Sequence, residues 1–409
     1  MCYKITAPEV LQLSLRLPAS KSISNRALIL HALSKGNIIP SNLSDCDDTR
    51  VMTKALQTNS NYIDIMAAGT AMRFLTAYFS VTPGTKTITG TERMRQRPIG
   101  ILVDALRSLG AKIEYLENEG YPPLRITGSK LTGDSVELEG NVSSQYISAL
   151  LMIGPTLENG LTLHLSGEII SRPYINLTIQ LMKEFGGEAE WASEDTLLVR
   201  PGNYKDIPFT VESDWSAASY WYEMLALSPR RSVVELTGLF RNSYQGDSQC
   251  AKMFTKLGVE TEYTDDGIRL TKTENIERSL ELDFIETPDL AQTFVVTCAL
   301  LGIDFRFTGL QSLKIKETDR IEALINELKT IGFVIRVKED SILIGDRRRC
   351  KTRKRPVVKT YEDHRMAMAF APAAFRIPEI RIADPMVVSK SYPRYWEDLE
   401  AAKFIIEKV

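Results

Sequence analysis

The sequence lacks the residues and runs on which several common classes of protein depend. It has three histidines and five cysteines in 409 residues, and no two cysteines have the CxxC spacing. We therefore expect neither a metal site of the usual ligand spacing nor a disulfide framework. No run approaches the ~18 apolar residues of a membrane helix, and the first ten residues lack the apolar stretch of a signal peptide. These absences predict a cytoplasmic protein without contact to a membrane.

Familiar nucleotide-binding and acyl-transfer motifs are also missing. The chain contains no GxSxG, no GxxxxGK[ST] and no GxGxxG after a strand pattern, which disfavours hydrolase, kinase and dehydrogenase functions. The net charge of −2 is too small to attract polyanions to the molecule as a whole. Any anion binding would therefore depend on local clusters of cations.

What the sequence does contain is a repeated unit. The apolar fraction of 44% and the charged fraction of 25% are typical of a globular enzyme, and the length favours two domains. Four segments read as a helix, a glycine and two strands, and their glycines lie 72 to 76 residues apart. Glycine after a helix is the usual left-handed cap. Further helices are predicted at 144–153, 217–225 and 290–301, so we expect an α/β architecture of repeated units.

The domain boundary is predicted near Pro208, where a strand-like segment precedes a helix capped by Asp214 or Ser216. The first seventeen residues resemble a lone strand that could pair with the C-terminal half. We therefore predict one globular half at 19–211 and another formed by 1–18 together with 212–409. A hinge is expected near 17–19 and 210–213.

The stretch LPASKSISNRALIL predicts a strand, a polar turn and a helix start. Leu13, Leu15 and Leu17 alternate as in a half-buried strand, and Lys21 and Arg26 follow the turn. A helix N-terminus favours anions because its N–H groups are unpaired and partly positive. An ordinary N-cap with basic residues on the surface is the alternative, and this stretch alone leaves both open.

Basic residues recur at other predicted helix starts. Cations there oppose the helix dipole, so local stability does not explain them, whereas a multiply charged anion does. Thr318 and Asp363 are candidate caps for two of these helices. The alternative is a solvated basic rim. The basic positions are Arg97 in RQRPIG, Lys316 and Arg320 in KIKETDRIEAL, Arg365 in EDHRMAMAFA and Lys390 in SKSYPRYW. Gly69 and Thr70 in AAGTAMRFL mark a further helix start, and Glu317 lies beside Lys316.

A separate basic run, Asp346–Pro356, carries seven Lys or Arg between Arg347 and Arg355. Such runs can bind nucleic acid. No aromatic residues interleave with it, and it follows a predicted hairpin. We therefore expect a solvated loop and no nucleic-acid partner.

Nine blocks together resemble the 5-enolpyruvylshikimate-3-phosphate synthases, in that family's order and over nearly the whole chain. They are LPASKSISNRALIL, AAGTAMRFL, RQRPIG, VSSQYISALLM, SRPYINLTIQLM, PDLAQTF, KETDRIEAL, DHRMAMAFA and the ending DP…K…YP. The resemblance implies a two-domain inverse α/β barrel built from repeated βαβαββ units, the enolpyruvyl transferase fold. Two of its six copies would then be degenerate, near 48–61 and at the C-terminus.

The resemblance also implies an activity and a set of site residues. The activity is transfer of the enolpyruvyl group of phosphoenolpyruvate to the 5-hydroxyl of shikimate 3-phosphate, without metal or organic cofactor. Residues matching the family's shikimate 3-phosphate site are Lys21, Ser22, Arg26, Ser143, Ser144, Gln145, Ser171, Tyr174, Asp289 and Lys316. Those matching its phosphoenolpyruvate site are Lys21, Gly69, Arg97, Gln145, Arg320, Arg365 and Lys390.

The implied chemistry suits these residue types. Each substrate carries a phosphate of about −1.5 to −2 charge and a carboxylate, so several cations are needed to bring both together. Two protons must move, and we assign Asp289 as the base, with Lys21 and Glu317 as proton donors. We expect cations of both halves to line one cleft that closes over the ligands, in a monomeric enzyme.

Some features depart from the family pattern and leave alternatives open. Ala67 stands where an Asn is usual, Ser312 stands where an Asn is common, and the segment from Asp48 to Gly69 is short. A non-catalytic or RNA-binding relative of the same fold is therefore an alternative. The related UDP-N-acetylglucosamine enolpyruvyl transferases are disfavoured, because the loop at 89–98 lacks their reactive Cys.

Overall fold

The computed structural model describes residues 1–229 and 231–409. The chain forms two compact units. Unit 1 comprises Met1–Pro18 and Glu212–Val409, and unit 2 comprises Ala19–Val211. Within the described residues, no helix has both the length and the apolar character that a membrane crossing requires.

Unit 2 contains six of the major helices and eight strands among its described residues, together with one short helix. The major helices are α1 (Lys21–Ser34), α2 (Asp47–Gln57), α3 (Gly69–Val81), α5 (Gly100–Ser108), α6 (Ser144–Ile153) and α7 (Arg172–Glu184); the short one is α4 (Glu92–Arg95). The strands are β3 (Tyr62–Asp64), β4 (Gly84–Thr89), β5 (Lys112–Tyr115), β6 (Leu124–Gly128), β7 (Ser135–Glu139), β8 (Leu161–Ser166), β9 (Ala189–Trp191) and β10 (Thr196–Val199).

Unit 1 contains the remaining elements, including both strands that precede unit 2 in the chain. Its helices are α8 (Trp215–Leu227), α9 (Cys250–Thr255), α10 (Ala291–Leu301), α11 (Arg320–Thr330), α12 (His364–Phe370) and α13 (Tyr395–Ala401). Its strands are β1 (Cys2–Thr6), β2 (Gln12–Arg16), β11 (Val233–Thr237), β12 (Leu257–Tyr263), β13 (Gly267–Ile276), β14 (Ser279–Asp283), β15 (Asp304–Thr308), β16 (Phe333–Lys338), β17 (Ile342–Arg349), β18 (Val357–Val358), β19 (Arg381–Ala383) and β20 (Ile405–Lys408).

The described strands form five four-stranded sheets with one shared pattern: a parallel pair, followed by two strands added antiparallel. In unit 2 the orders are β3-β4-β6-β5 and β7-β8-β10-β9. In unit 1 they are β2-β11-β13-β12, β14-β15-β17-β16 and β18-β19-β1-β20. This repetition confirms the predicted α/β fold of repeated units.

A buried helix precedes the second strand of each parallel pair. These helices are α3, α6, α8, α10 and α12. Twelve of the 13 residues of α8 and ten of the 11 residues of α10 are buried. A helix that is apolar on nearly every side must be enclosed by other elements, so these helices form the interior of each unit. Functional groups can then be placed at their N-terminal ends.

Several local predictions are confirmed. Helix α6 has the predicted bounds, and Asp214 caps α8 by accepting a hydrogen bond from the N–H of Ala217 at 3.0 Å. The four repeat glycines have φ values between 78° and 101°. Glycine adopts these positive φ values without strain, which explains why a glycine stands at the same place in each repeat.

Other local predictions are wrong. The first seventeen residues form two strands, β1 and β2, which belong to different sheets. The C-terminal copy is not degenerate, because β18, β19 and β20 recruit β1 to complete a four-stranded sheet. The cap of α11 is Asp319 rather than Thr318, since its Oδ1 accepts from the N–H groups of Ile321 and Glu322. The copy near 48–61, in contrast, is degenerate as predicted: the chain there forms α2, and in place of a four-stranded sheet the described residues form the single parallel bridge Ser41–Thr210.

The basic run lies at the end of β17 and in the loop after it, and acidic side chains neutralise part of it. Arg347 pairs with Asp304 at 2.8 Å, and Arg348 pairs with Asp346 at 3.1 Å. Arg349 lies 3.6 Å from the centre of the Phe333 ring. These contacts leave a smaller exposed charge than the sequence suggests.

A buried carboxyl group in α8 makes the stability of unit 1 sensitive to pH. Glu223 is 0% exposed, and burial raises its pKa well above the ordinary value. The protonated form stabilises the fold fully below the unfolded pKa near 4.5, and this contribution is lost as the pH rises toward the folded pKa. We expect Glu223→Gln to unfold at a higher temperature than the wild type, by a margin that grows from pH 5 to pH 9. Thermal unfolding across that range checks this, and a margin independent of pH would contradict it.

Candidate active site

In unit 2, the start of α1 carries the first predicted cation. Ser20 caps the helix, with its Oγ accepting from the N–H of Ile23 at 3.4 Å. Lys21 is the first helical residue, and its Nζ lies 3.7 Å from Oδ2 of Asp48. The predicted strand, turn and helix start is therefore present, with a carboxylate beside Lys21 that the sequence did not suggest.

Arg26, one turn further along α1, is 3% exposed. Its guanidinium donates to Thr178 Oγ1 at 2.7 Å, Ser148 Oγ at 3.0 Å, and the carbonyls of Ser22 at 3.0 Å and Tyr174 at 3.5 Å. All of these acceptors are neutral, and no carboxylate pairs with Arg26 in the part of the chain that the structure describes. Burial lowers the pKa of Arg26 to about 10, so the group remains cationic at neutral pH. A buried positive charge without a counter-ion is suited to bind an anion.

Two arginines meet at the N-terminus of α3. Helix α3 begins at Gly69, and no side chain caps it. A Cβ atom added to Gly69 would lie 2.7 Å from Nη1 of Arg97 and 3.1 Å from Nη1 of Arg73. Both guanidinium groups thus crowd a helix end that already carries partial positive charge. Such an arrangement favours an anion at this point.

Helices α6 and α7 contribute the remaining predicted residues of unit 2. Ser143 caps α6, Ser144 is its first residue, and Gln145 donates from Nε2 to Thr70 Oγ1 at 3.1 Å. Ser171 precedes α7 with a left-handed φ of 56°. Hydrogen bonds of Gln145 and Arg26 therefore link the N-terminal halves of α1, α3 and α7 to α6. The predicted residues of unit 2 lie along these linked helix ends.

In unit 1, Arg320 lies at the centre of a cluster of carboxylates. Its side chain is 2% exposed, and it pairs with Asp363 at 2.7 Å, Glu317 at 2.9 Å and Asp289 at 3.1 Å. These bonds occupy Nε, Nη2 and Nη1 respectively. The sequence predicts that Arg320 binds phosphoenolpyruvate. In the structure Arg320 also orients Asp289 and Glu317, the two carboxyl groups with predicted acid–base roles.

Arg365 contacts the other side of Asp289. Its Nη2 lies 2.8 Å from Asp289 Oδ2, and its Nη1 donates to the Asp289 carbonyl at 3.2 Å and to the Tyr220 hydroxyl at 3.3 Å. Asp363 caps α12 as predicted, accepting from the N–H of Arg365 at 2.8 Å. Lys390 donates to the carbonyl of Glu362 at 2.7 Å.

The charges around Asp289 fix its ionisation. Burial by itself would raise its pKa, but Arg365, Lys316 and Arg320 hold it well below the ordinary value. Burial lowers the pKa of Lys316, and the Asp289 carboxylate opposes that shift. A carboxylate that stays ionised and is fixed by two arginines can accept a hydrogen bond from a substrate hydroxyl.

Asp247, which the sequence prediction missed, lies near this cluster. It is 4% exposed, and its Oδ2 accepts a hydrogen bond from the Ser216 hydroxyl. Burial and the charge of Asp289 raise its pKa to about 7. The sequence offers no helix pattern that would bring residue 247 to residue 289, so only the fold reveals the pair.

The comparisons with known proteins agree with one another. The family model described as EPSP synthase (3-phosphoshikimate 1-carboxyvinyltransferase) matches residues 5–61 and 57–399. A 3-phosphoshikimate 1-carboxyvinyltransferase of Bacteroides fragilis is 66% identical over 407 residues, which cover 100% of this chain and 99% of that protein. A protein of the same name from Sulfurovum is 36% identical over 413 residues, covering 94% of this chain and 95% of its own.

Solved structures share the fold. An EPSP synthase from Acinetobacter baumannii is similar with a TM-score of 0.79 at 20% identity, covering 100% of both chains. The enolpyruvyl transferase NikO from Streptomyces tendae is similar with a TM-score of 0.72 at 14% identity, covering 99% of this chain and 98% of its own.

Proposed function

The chain belongs to the EPSP synthase (3-phosphoshikimate 1-carboxyvinyltransferase) family, and from that membership we propose how its residues carry out the reaction. The activity is transfer of the enolpyruvyl group of phosphoenolpyruvate to the 5-hydroxyl of shikimate 3-phosphate, with release of phosphate, in the shikimate pathway to the aromatic amino acids. What remains to be assigned is the part that each side chain plays.

Shikimate 3-phosphate binding is assigned in unit 2 to the linked helix ends. Arg26 supplies a buried charge, and the hydroxyls there donate short hydrogen bonds to phosphate and carboxylate oxygens. The support for this role is that the acceptors of Arg26 are all neutral. The proposed residues of unit 2 are Lys21, Ser22, Arg26, Ser143, Ser144, Gln145, Ser171 and Tyr174; Asp289 and Lys316 of unit 1 join them.

Phosphoenolpyruvate binding is assigned in unit 2 to Lys21, Gly69, Arg97 and Gln145. Gly69 is the first residue of α3, so its backbone N–H lies at the positive end of the helix dipole. The dipole and the nearby Arg97 guanidinium both favour a phosphate group there. Among the residues that the structure describes, no carboxylate pairs with Arg97, so its charge is available to a ligand.

In unit 1, Arg320, Arg365 and Lys390 are assigned to the same substrate. Arg365 and Lys390 each bond a backbone carbonyl in addition to their other contacts. Arg320 is already paired with three carboxylates, and its Nη1 makes one hydrogen bond, to Asp289, so a second N–H of that nitrogen is the one assigned to a substrate oxygen. Its second role is to orient Asp289 and Glu317, which it bonds directly.

The acid–base roles follow from charge and position. A proton leaves the attacking hydroxyl, and one must reach the methylene carbon of phosphoenolpyruvate. Asp289 is assigned to the first, because Arg365, Lys316 and Arg320 keep its half-buried carboxylate ionised and able to accept a hydrogen bond from the hydroxyl. Lys21 and Glu317 are the candidate donors of the second. Lys21 carries a proton as the ammonium group paired with Asp48, whereas Glu317, paired with Arg320, has to take up a proton before it can donate one.

The observation that carries this assignment is the half-buried, ionised Asp289 fixed between Arg320 and Arg365. Phosphate release from phosphoenolpyruvate is measured with and without shikimate 3-phosphate for the wild type and for Asp289→Asn. Release that depends on both substrates and falls with the substitution supports the assignment. Full turnover by the variant would contradict it.

We also propose a cytoplasmic, monomeric enzyme. All five cysteines carry free thiols, and three of them are buried, which suits a reducing compartment. Light scattering on the purified protein tests the oligomeric state, and a dimer mass would refute this part of the proposal.

Gly69→Ala is expected to weaken phosphoenolpyruvate binding. The new methyl group would lie 2.7 Å from Arg97 Nη1, closer than atoms can approach, so the guanidinium must move away from the start of α3. We expect KM for phosphoenolpyruvate to rise roughly tenfold, as for the loss of a charge-assisted hydrogen bond, while KM for shikimate 3-phosphate changes little.

Gly202→Ala is the matched control for this variant. Gly202 is also in unit 2, and a Cβ there would meet nothing within 4 Å. Steady-state kinetics on both variants separate displacement of Arg97 from a general effect of added bulk. An unchanged KM for phosphoenolpyruvate in Gly69→Ala would contradict the placement of Arg97.

A further inference from the structure

The carbonyl oxygen of Pro98 accepts hydrogen bonds from two buried side chains. The hydroxyl of Tyr146, on α6, donates to it at 2.7 Å, and Nη2 of Arg73, on α3, donates at 3.3 Å. Tyr146 is 6% exposed and Arg73 is 5% exposed. Pro98 is exposed, so water could satisfy its carbonyl oxygen without any protein donor. Two buried donors on this one oxygen therefore act to hold the peptide in place.

The peptide so fixed joins Pro98 to Ile99, and Pro98 directly follows Arg97. The backbone N–H of Arg97 donates to the carbonyl of Met94 at 3.0 Å. Its guanidinium, in contrast, makes no hydrogen bond or ion pair to any residue in 1–229 or 231–409. The position of that guanidinium over Gly69 therefore depends on the backbone from which the side chain extends.

The same two donors are tied to the start of α3. Arg73 donates from Nη1 to the Gly69 carbonyl at 3.0 Å, and its guanidinium lies 5.9 Å from the centre of the Tyr146 ring. Gln145, the neighbour of Tyr146, donates to Thr70 Oγ1 at 3.1 Å. Gln145 and Tyr146 of α6 thus hold the two segments that Arg97 and Gly69 belong to: Gln145 bonds Thr70, next to Gly69, and Tyr146 bonds Pro98, next to Arg97.

We propose that Tyr146 is a positioning residue for phosphoenolpyruvate recognition, because its hydroxyl holds the Pro98 carbonyl and thereby the Arg97 guanidinium over the N-terminus of α3. The inference rests on the proposed role of Arg97 in binding phosphoenolpyruvate. Tyr146 itself touches no substrate in this account. It acts through the turn alone.

Tyr146→Phe tests this, since it removes the hydroxyl and keeps the buried ring. We expect KM for phosphoenolpyruvate to rise about three- to tenfold, the range of one lost hydrogen bond, with kcat and KM for shikimate 3-phosphate within twofold of the wild type. A merely structural role would lower the unfolding temperature without separating the two KM values.

Tyr204→Phe is the matched control. The Tyr204 hydroxyl is also buried in unit 2, and it donates to a backbone carbonyl, that of Met152 in α6, at 2.8 Å. It has no contact with the 97–98 turn. We expect this variant to lose a comparable amount of stability and to keep both KM values. Equal rises of KM for phosphoenolpyruvate in the two variants would overturn the inference.

Arg97→Lys distinguishes failure of the inference from failure of the proposed function. If Arg97→Lys raises KM for phosphoenolpyruvate and Tyr146→Phe does not, the positioning role is overturned and the role of Arg97 survives. If Arg97→Lys changes nothing, both are overturned. If both variants raise KM for phosphoenolpyruvate, the double variant should raise it no more than Arg97→Lys alone, because the two substitutions disturb one contact. Fully additive effects on this KM would count against the inference.

Discussion

Asp289→Asn is expected to lower the rate of phosphate release by two to four orders of magnitude, the usual contribution of a positioned acid or base. Asparagine has the same shape but cannot take the proton of the attacking hydroxyl. Because Arg365, Lys316 and Arg320 hold the pKa of Asp289 far below neutrality, the wild-type carboxylate is already ionised at any working pH. Its activity should therefore show no acidic limb from this group above about pH 5.

Asp283→Asn serves as the control for this substitution. Asp283 precedes Asp289 by six residues, is exposed, and accepts from the N–H of Ile285 at 3.0 Å, a bond that asparagine can also accept. Turnover of this variant should match the wild type. If Asp289→Asn retained turnover within tenfold of the wild type, Asp289 could not be the base.

Arg26→Met is expected to raise KM for shikimate 3-phosphate by about a hundredfold or more, the cost of leaving a buried charge on the substrate unpaired. The ligand-free variant should unfold at the wild-type temperature or above it. In the free enzyme Arg26 is a buried charge whose hydrogen bonds all go to neutral groups. An apolar side chain removes the desolvation cost of that charge. The hydroxyl of Thr178 already donates to Ser148 Oγ at 2.8 Å, so Ser148 keeps a hydrogen-bond donor when Arg26 is replaced.

Arg320→Met provides the contrast. Arg320 is as deeply buried as Arg26 but pairs with three carboxylates, so its loss leaves uncompensated negative charge and should cost about 3–5 kcal/mol of stability. Thermal unfolding with and without shikimate 3-phosphate separates the two cases. The ligand should stabilise the wild type and not Arg26→Met. A loss of stability in Arg26→Met as large as in Arg320→Met would contradict the proposed role.

The sequence predicts best what depends on local physics. The left-handed cap at Gly186, the bounds of α6 and the capping of α12 by Asp363 each follow from a few neighbouring residues, and the structure confirms them. The choice between Thr318 and Asp319 as a cap fails because both types accept hydrogen bonds and adjacent positions differ only in backbone angle.

What the sequence could not predict is which distant charges meet. Asp48 beside Lys21 and Asp363 beside Arg320 lie 27 and 43 residues apart in the chain, and no periodicity links them. The neutral surroundings of Arg26 are equally hidden, because they come from α6 and α7 as well as from its own helix. Pairing between distant side chains is set by packing, which a single sequence does not display.

The two N-terminal strands have a consequence for the order of synthesis on the ribosome. β1 and β2 are made before unit 2, yet Tyr3 pairs with Ile382 and Lys408, and β2 pairs with β11 at Val233–Thr237. Unit 2 is continuous in the chain, and both of its sheets contain only its own strands. We therefore expect nascent chains to acquire structure in unit 2 first, while β1 and β2 wait for residues 233–237, 381–383 and 405–408 to be translated.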